Sequence, residues 1–131
     1  MLLVKTKIGP STIHGIGIFA DEFIPKGTNI WRLAPGLDIE LTAEQAEILP
    51  EAVKGQFFNY SYFDTIRQKY ILCWDDARFF NHSKTPNTIN YGSADSSCDV
   101  TVATKDIQIG EEIVSDYGEF DGKFDPKDLH A

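Results

Sequence analysis

The chain has 131 residues, of which 42% are hydrophobic and 12% aromatic, a composition typical of one folded domain and not of a disordered segment. A formal net charge of −8 at pH 7 argues against direct nucleic-acid binding, because phosphates repel an acidic surface, and it suits a basic protein partner. No apolar run approaches the roughly 18 residues that cross a membrane, and no signal-peptide pattern is present. We therefore expect a cytoplasmic or otherwise intracellular protein that makes no membrane contact.

The spacing of cysteine and histidine gives no sign of a metal site. The two cysteines, Cys73 and Cys98, form no paired motif, so free thiols in a reducing compartment are expected. The histidines, at positions 14, 82 and 130, stand one to a region, and no metal is expected from them.

The N-terminal part of the chain reads as strands separated by glycine turns. Residues 2–8 predict a first strand, which residues 9–11 end. Gly15 and Gly17 then precede an apolar run, which indicates a turn whose backbone approaches another group closely. Backbone contact with a cofactor and a tight turn entering a strand both fit this pattern. It is not a dinucleotide-binding fingerprint, because a third glycine and a following helix are missing.

A short pattern occurs twice in the chain. Residues 23–31 read as strand, turn and strand, and their spacing recurs near the C-terminus. The repeat is too short for a solenoid, so we interpret it as one turn design used in two hairpin-like corners. The matching residues are Ala20, Ile24, Gly27 and Ile30 in the first copy, and Ala103, Ile107, Gly110 and Ile113 in the second.

Two helices are predicted in the middle of the chain. Thr42 and Gln45 form a capping box, which predicts a short helix over residues 43–48. Pro50 breaks this helix and suits the first turn of a second one, which runs to about Asn59. Three apolar residues at four-residue spacing are expected to face the core: Leu49, Val53 and Phe57.

Three polar residues follow an apolar strand pattern at residues 70–74. Asn81, His82 and Ser83 could bind a polar ligand, or they could cap a local turn with their own side chains. Further strands are predicted at residues 88–91 and 100–103. About eight short strands with one helical insertion indicate a compact, mainly β domain.

Three stretches in order carry a family resemblance: residues 15–20, residues 78–83 with Pro86 and Asn87, and residues 110–113 with residues 116–118. Between about Lys5 and Gly118 the chain resembles the SET-domain family of protein lysine methyltransferases, in particular its small free-standing bacterial and viral members. The resemblance implies several small β-sheets and a knot-like crossing of the Asn-His segment with the C-terminal part. It also implies S-adenosylmethionine as the methyl donor.

The resemblance assigns roles to individual residues. The catalytic residue is Tyr117, which would orient the lysine amine. An aromatic residue of the inserted region lines the lysine channel in the family, and Tyr60 and Tyr62 are the candidates here, with Tyr60 preferred. For His82 the resemblance favours cofactor binding over general-base catalysis. The implied cofactor-binding residues are His14, Gly15, Ile16, Gly17, Arg78, Asn81, His82 and Phe120.

The chain departs from many family members at its C-terminal end. It lacks their cysteine-rich segments, and Lys84 stands where many of them have cysteine. We therefore divide it into a SET domain at residues 1–118 and an acidic segment at residues 119–131 that closes the lysine channel without zinc. Either Phe120 or Phe124 would supply the aromatic wall of that closure.

The expected reaction is methyl transfer from S-adenosylmethionine to a lysine side chain of a basic protein, such as a histone, a histone-like protein or a ribosomal protein. A non-catalytic SET-fold module that binds a peptide or protein partner is the alternative. A methyltransferase for another class of substrate is a further one. No residue pattern decides between a monomer and a homodimer.

Overall fold

The computed structural model describes residues 1–92 and 99–123, and it has the predicted mainly β architecture, with 36% strand and 19% helix. Within these described residues, two α-helices and two short 3-10 helices, Asp76–Phe79 and Tyr117–Glu119, accompany the strands. The strands and α-helices are β1 (Thr6–Pro10), β2 (Ile16–Ala20), β3 (Asn29–Arg32), β4 (Ile39–Leu41), α1 (Ala43–Glu47), α2 (Glu51–Tyr60), β5 (Tyr62–Asp64), β6 (Lys69–Leu72), β7 (Asn81–His82), β8 (Thr88–Tyr91), β9 (Val100–Ala103) and β10 (Val114–Ser115).

The strands form four small sheets. Three are antiparallel, with the strand orders β1-β2, β3-β9-β8 and β4-β6-β5. The fourth is a parallel pair in which β7 lies beside β10, with Asn81 opposite Val114 and His82 opposite Ser115. This pair brings the Asn-His segment directly against the strand that leads to Tyr117, where the resemblance implied a crossing.

The two repeated corners pair with each other at the centre of the main core. Ile24 and Ile107 exchange backbone hydrogen bonds of 2.9 and 2.8 Å. Gly27 donates its N–H to the Ala103 carbonyl, and Gly110 donates its N–H to the Ala20 carbonyl, in both cases at 2.8 Å. The prediction of one turn design used twice is confirmed, and each corner finds its partner in the other copy. All the repeated alanines and isoleucines are buried in one cluster: Ala20, Ile24, Ile30, Ala103, Ile107 and Ile113.

The two helices lie close to the predicted boundaries, but one residue that was predicted to face the core is exposed. Both hydrogen bonds of the Thr42–Gln45 capping box are present, and α2 follows Pro50 as expected. Phe57 is buried, whereas Val53 is 45% exposed, so the prediction that Val53 faces the core is wrong. Val53 lines an open apolar pocket of about 370 Å³ at the surface instead of packing into the core.

Two strand predictions shift by a few residues. The first strand begins at Thr6, and Leu2 forms only an isolated bridge to Trp31. The strand predicted at residues 70–74 ends at Leu72, and Trp74 is half-exposed. In residues 1–92 and 99–123, no helix has the length and apolar character that crossing a membrane requires. Cys98 lies outside the described residues.

Candidate functional site

Most of the predicted site residues surround one groove of about 1160 Å³. It lies where the parallel β7–β10 pair, the loop before β2 and the C-terminal segment meet. Gly17 is buried behind the groove wall. The predicted residues that line it are His14, Gly15, Ile16, Tyr60, Tyr62, Arg78, Asn81, His82, Tyr117 and Phe120.

Asn81 ties the loop before β2 to the third motif. Its side chain is buried, and the amide Nδ2 lies 3.1 Å from the His14 carbonyl and 3.3 Å from the Ile16 carbonyl. The same nitrogen lies 2.9 Å from Oε2 of Glu112. A buried amide needs such partners, so Asn81 fixes the shape of the loop as well as lining the groove.

His82 accepts a hydrogen bond at the base of the groove. The Tyr117 backbone N–H donates to His82 Nδ1 at 3.0 Å, which places the imidazole proton of the neutral ring on Nε2. Burial lowers the pKa of His82; Asp116, at 3.7 Å, opposes that shift, and Lys84 adds to it. The ring is therefore neutral near pH 7, which suits a positioning or ligand-binding role.

Tyr117 is held as a neutral phenol. Its O–H donates to the Phe80 carbonyl, and its ring lies against that of His82 at a centroid distance of 5.3 Å. Burial raises the pKa of Tyr117 to about 12, and the carboxylates of Asp121 and Glu112 add to the shift. Because the hydroxyl proton points to a backbone carbonyl, the phenol oxygen presents lone pairs to an incoming donor.

An aromatic wall joins the inserted region to the C-terminal segment. The Phe120 ring packs edge-on against Tyr62 at 5.2 Å and against Tyr117 at 5.7 Å between centroids. Burial raises the pKa of Tyr62 well above its ordinary value. Tyr60 instead packs on Phe79, at 5.7 Å. Of the two tyrosine candidates, Tyr62 is therefore the one whose ring belongs to the same aromatic group as Tyr117.

The C-terminal segment docks on the edge of β5. Asp121 accepts the Phe63 backbone N–H at 3.0 Å, and Gly122 donates its own N–H to the Phe63 carbonyl at 2.9 Å. These two bonds hold Phe120 in the groove wall. Phe124, the other candidate for this wall, lies outside the described residues.

Glu112 and Asn87 are site residues that the sequence reasoning did not assign a role. Asn87 is buried, donates to the Glu112 carbonyl at 2.9 Å and accepts the Val114 N–H at 2.9 Å. It thereby fixes the strand that carries the third motif. Both residues lay within the quoted motifs, but a glutamate after a glycine turn and an asparagine after a proline are also ordinary turn residues.

The groove offers both apolar surface and accessible backbone, which an amphipathic cofactor such as S-adenosylmethionine would need. Ile13 and Ile16 expose about half of their surface, 50% and 49%, on one wall, so an apolar part of a ligand has surface to cover. At Gly15, whose φ is +47°, a Cβ would meet nothing within 4 Å, so backbone is accessible there. The residues that would hold the cofactor are the backbone of residues 14–16 together with Arg78, Asn81, His82 and Phe120. Within the described part of the chain, no group of three or more His, Cys, Asp or Glu could hold a metal ion.

The model of the SET domain family matches residues 15–118, which include all three motifs. The chain belongs to the SET-domain family. A solved structure from Plasmodium falciparum, provisionally named as a histone methyltransferase, is similar to it with a TM-score of 0.60 and 24% identity over 89% of this chain and 96% of that chain. At that identity the likeness concerns the fold. No curated protein matches the sequence. Membership of the SET-domain family supports methyltransferase activity in general.

Proposed function

We propose that this SET-domain protein is an S-adenosylmethionine-dependent protein-lysine methyltransferase. The observation that carries the proposal is the position of Tyr117, a neutral phenol between the His82 and Phe120 rings in the groove. S-adenosylmethionine would supply an electrophilic methyl group on a sulfonium. The chain must then hold a neutral amine in line with that methyl and exclude water from it.

The aromatic wall accounts for the neutral amine. Free lysine has a pKa of about 10.4, so its amine is protonated at pH 7. Desolvation between the rings of Tyr62, Tyr117 and Phe120 lowers the pKa of an amine held there. The Tyr117 oxygen can accept an N–H of that amine, because its own proton is donated to the Phe80 carbonyl. The amine lone pair would then form the new N–C bond while the C–S bond of the sulfonium breaks and S-adenosylhomocysteine leaves.

The proposed substrate is a basic protein. Glu119 and Asp121 line the groove beside the aromatic wall, and the whole chain carries a net charge of −8. Such a surface attracts positively charged segments and increases the rate of encounter, an effect that salt screens. A lysine peptide with basic neighbours should therefore be methylated with a higher kcat/KM than one with acidic neighbours, and the difference should shrink as salt is added.

The test is transfer of labelled methyl groups to a mixture of basic proteins, with wild type compared with Tyr117→Phe. Loss of the hydroxyl should lower kcat by about 100-fold or more, the scale seen when one transition-state hydrogen bond is removed. Tyr91→Phe removes the hydroxyl of another, more exposed tyrosine of the same groove, so it controls for the loss of a phenol as such and should keep most of its rate. Full activity of Tyr117→Phe would refute the role of Tyr117. Cofactor binding without methylation of any protein would favour a non-catalytic binding module. Label found only on small molecules would show that the substrate is not a protein.

A further inference from the structure

The carboxylate of Glu112 is the meeting point of two side chains from distant parts of the chain. Ser11 Oγ lies 2.7 Å from Oε1 and 3.0 Å from Oε2, and Asn81 Nδ2 lies 2.9 Å from Oε2. A carboxylate has only acceptor sites and can satisfy both donors at once.

Both partners of Glu112 hold the loop at residues 11–16. Ser11 Oγ accepts the Ile13 N–H at 2.9 Å and, more weakly, the His14 N–H at 3.4 Å. Asn81 donates from the other side to the carbonyls of His14 and Ile16. The loop that presents its backbone to the groove is therefore fixed at both ends by groups that depend on one carboxylate.

The second glycine of the first motif makes room for this carboxylate. A Cβ on Gly17 would lie 2.4 Å from Oε2 of Glu112 and 3.0 Å from Cβ of Ser11, so the Glu112 carboxylate would have to move away. The Glu112 backbone is fixed as well, because Asn87 donates to its carbonyl and Phe19 bridges to it. Gly17 lies outside the groove lining, and a larger residue there would displace the Glu112 carboxylate from its present contacts.

We propose that Glu112 is a positioning residue that sets the shape of the cofactor-side loop through Ser11 and Asn81. The cofactor part of this inference rests on the proposed function, whereas the loop part concerns the protein alone. Removing the carboxylate takes away one of the three acceptors that the two Nδ2 hydrogens of Asn81 share, and it leaves the Ser11 hydroxyl without its acceptor. The backbone bond from Ser11 N–H to the Gly15 carbonyl remains, so the loop stays closed but is held less firmly. Binding of a ligand to residues 14–16 then has to order the loop, which weakens affinity.

Glu112→Ala and its neighbour Glu111→Ala form a matched pair. Glu111 is exposed, and its carboxylate accepts only the Gln108 N–H among the described contacts. Titration of S-adenosylhomocysteine should give an affinity about tenfold or more lower for Glu112→Ala, the scale of one lost hydrogen bond to a charged group, and near wild type for Glu111→Ala. Equal melting temperatures of the two variants would assign the difference to the loop and not to global stability.

Two conservative variants separate the interaction of Glu112 with Ser11 from its interaction with Asn81. In Glu112→Gln the amide oxygen can still accept from Asn81, but its NH₂ faces a Ser11 hydroxyl that already accepts backbone N–H groups. Glu112→Gln should therefore lose less affinity than Glu112→Ala. Ser11→Ala also removes the acceptor of the Ile13 N–H, so it should lose at least as much as Glu112→Gln, and the double variant should be little worse than Ser11→Ala. Should Glu112→Ala fail to fold, these two variants carry the test.

Amide hydrogen exchange in the cofactor-free protein tests the loop directly. The Ile13 amide should exchange about tenfold faster or more in Glu112→Ala, whereas core amides such as Ile107 keep their protection. Unchanged Ile13 exchange together with unchanged ligand affinity would overturn the proposal. If wild type binds no S-adenosylhomocysteine, the proposed function fails, and Ile13 exchange still decides whether Glu112 holds the loop.

Discussion

His82 shows how one buried side chain can make the molecule sensitive to pH. Its Nδ1 accepts the Tyr117 N–H. Protonation of Nδ1 would remove this acceptor and place an Nδ1–H donor opposite the Tyr117 N–H donor. Burial favours the neutral ring and lowers the pKa of His82; the nearby Asp116 carboxylate opposes this shift, whereas Lys84 adds to it. The start of the Tyr117 turn thus depends on a neutral imidazole.

The first prediction concerns stability in mild acid. The pKa of His82 is lower in the folded protein than the ordinary value of about 6.5, so the unfolded chain binds more protons in the interval between the two values. The contribution of His82 is therefore complete above pH 6.5 and is lost as the pH falls through the folded pKa. Chemical denaturation at a series of pH values should give a free energy of unfolding that falls over this interval.

A non-titrating variant isolates the contribution of His82. The Oδ1 atom of an asparagine can replace Nδ1 as the acceptor for the Tyr117 N–H, so His82→Asn should have a flatter pH dependence between pH 7 and 5. His14→Asn, at an exposed position, controls for the loss of an imidazole. An equal slope for wild type and His82→Asn would show that other groups cause the acid sensitivity.

At the scale of elements, the two paired corners are the feature that the residue pattern predicted best without help from the family resemblance. The repeated spacing predicted two copies of one turn, and both copies place glycine at a positive φ, +90° at Gly27 and +89° at Gly110. Each glycine also donates its N–H across the pair. The partner of each corner was not predictable, because a hairpin closing on itself and a pair of corners have the same local pattern.

The second prediction is that both corner glycines are needed for stability. Gly27→Ala and Gly110→Ala should each lower the free energy of unfolding by about 1–3 kcal/mol, because a side chain is strained at these φ values even though no atom lies within 4 Å of the added Cβ. Gly55→Ala, within α2 and equally free of contacts, should raise stability by about 0.5–1 kcal/mol. Urea denaturation measures all three. A loss at Gly55 as large as at the corners would refute the conformational explanation.

Local patterns also predicted β8, β9 and the capping box of α1, since alternation and caps are properties of adjacent residues. They were wrong about Val53, because helical spacing marks an apolar face but not whether another element covers it. The two-residue strands β7 and β10 are too short to have a period. Their pairing, and with it the meeting of Asn81 with the third motif, was available only through the resemblance to the SET-domain family.

For the whole molecule, the C-terminal segment completes the groove by a close backbone approach. Gly122 donates to the Phe63 carbonyl, and a Cβ on Gly122 would lie 2.2 Å from the Cγ2 methyl of Thr65. Residues 119–131 were predicted to close the lysine channel, but the manner of attachment was not predictable, since neither the Asp121 bond to β5 nor this contact has a sequence pattern. The contact joins the end of the described chain to its inserted region and thereby holds Phe120 beside Tyr117.

The third prediction tests this closure with a pair of compensating changes. Gly122→Ala should displace the segment, because the Thr65 side chain is β-branched and cannot easily turn its methyl away. Phe120 would then leave the aromatic wall, so methyl transfer and protection of the Gly122 amide should both fall. Thr65→Ser removes the methyl that clashes, and the double variant should regain most of the loss while Thr65→Ser alone stays near wild type. If the double variant is as impaired as Gly122→Ala, the closure does not depend on this contact, and the hydrogen bonds of Asp121 and Gly122 to β5 would have to hold Phe120 without it.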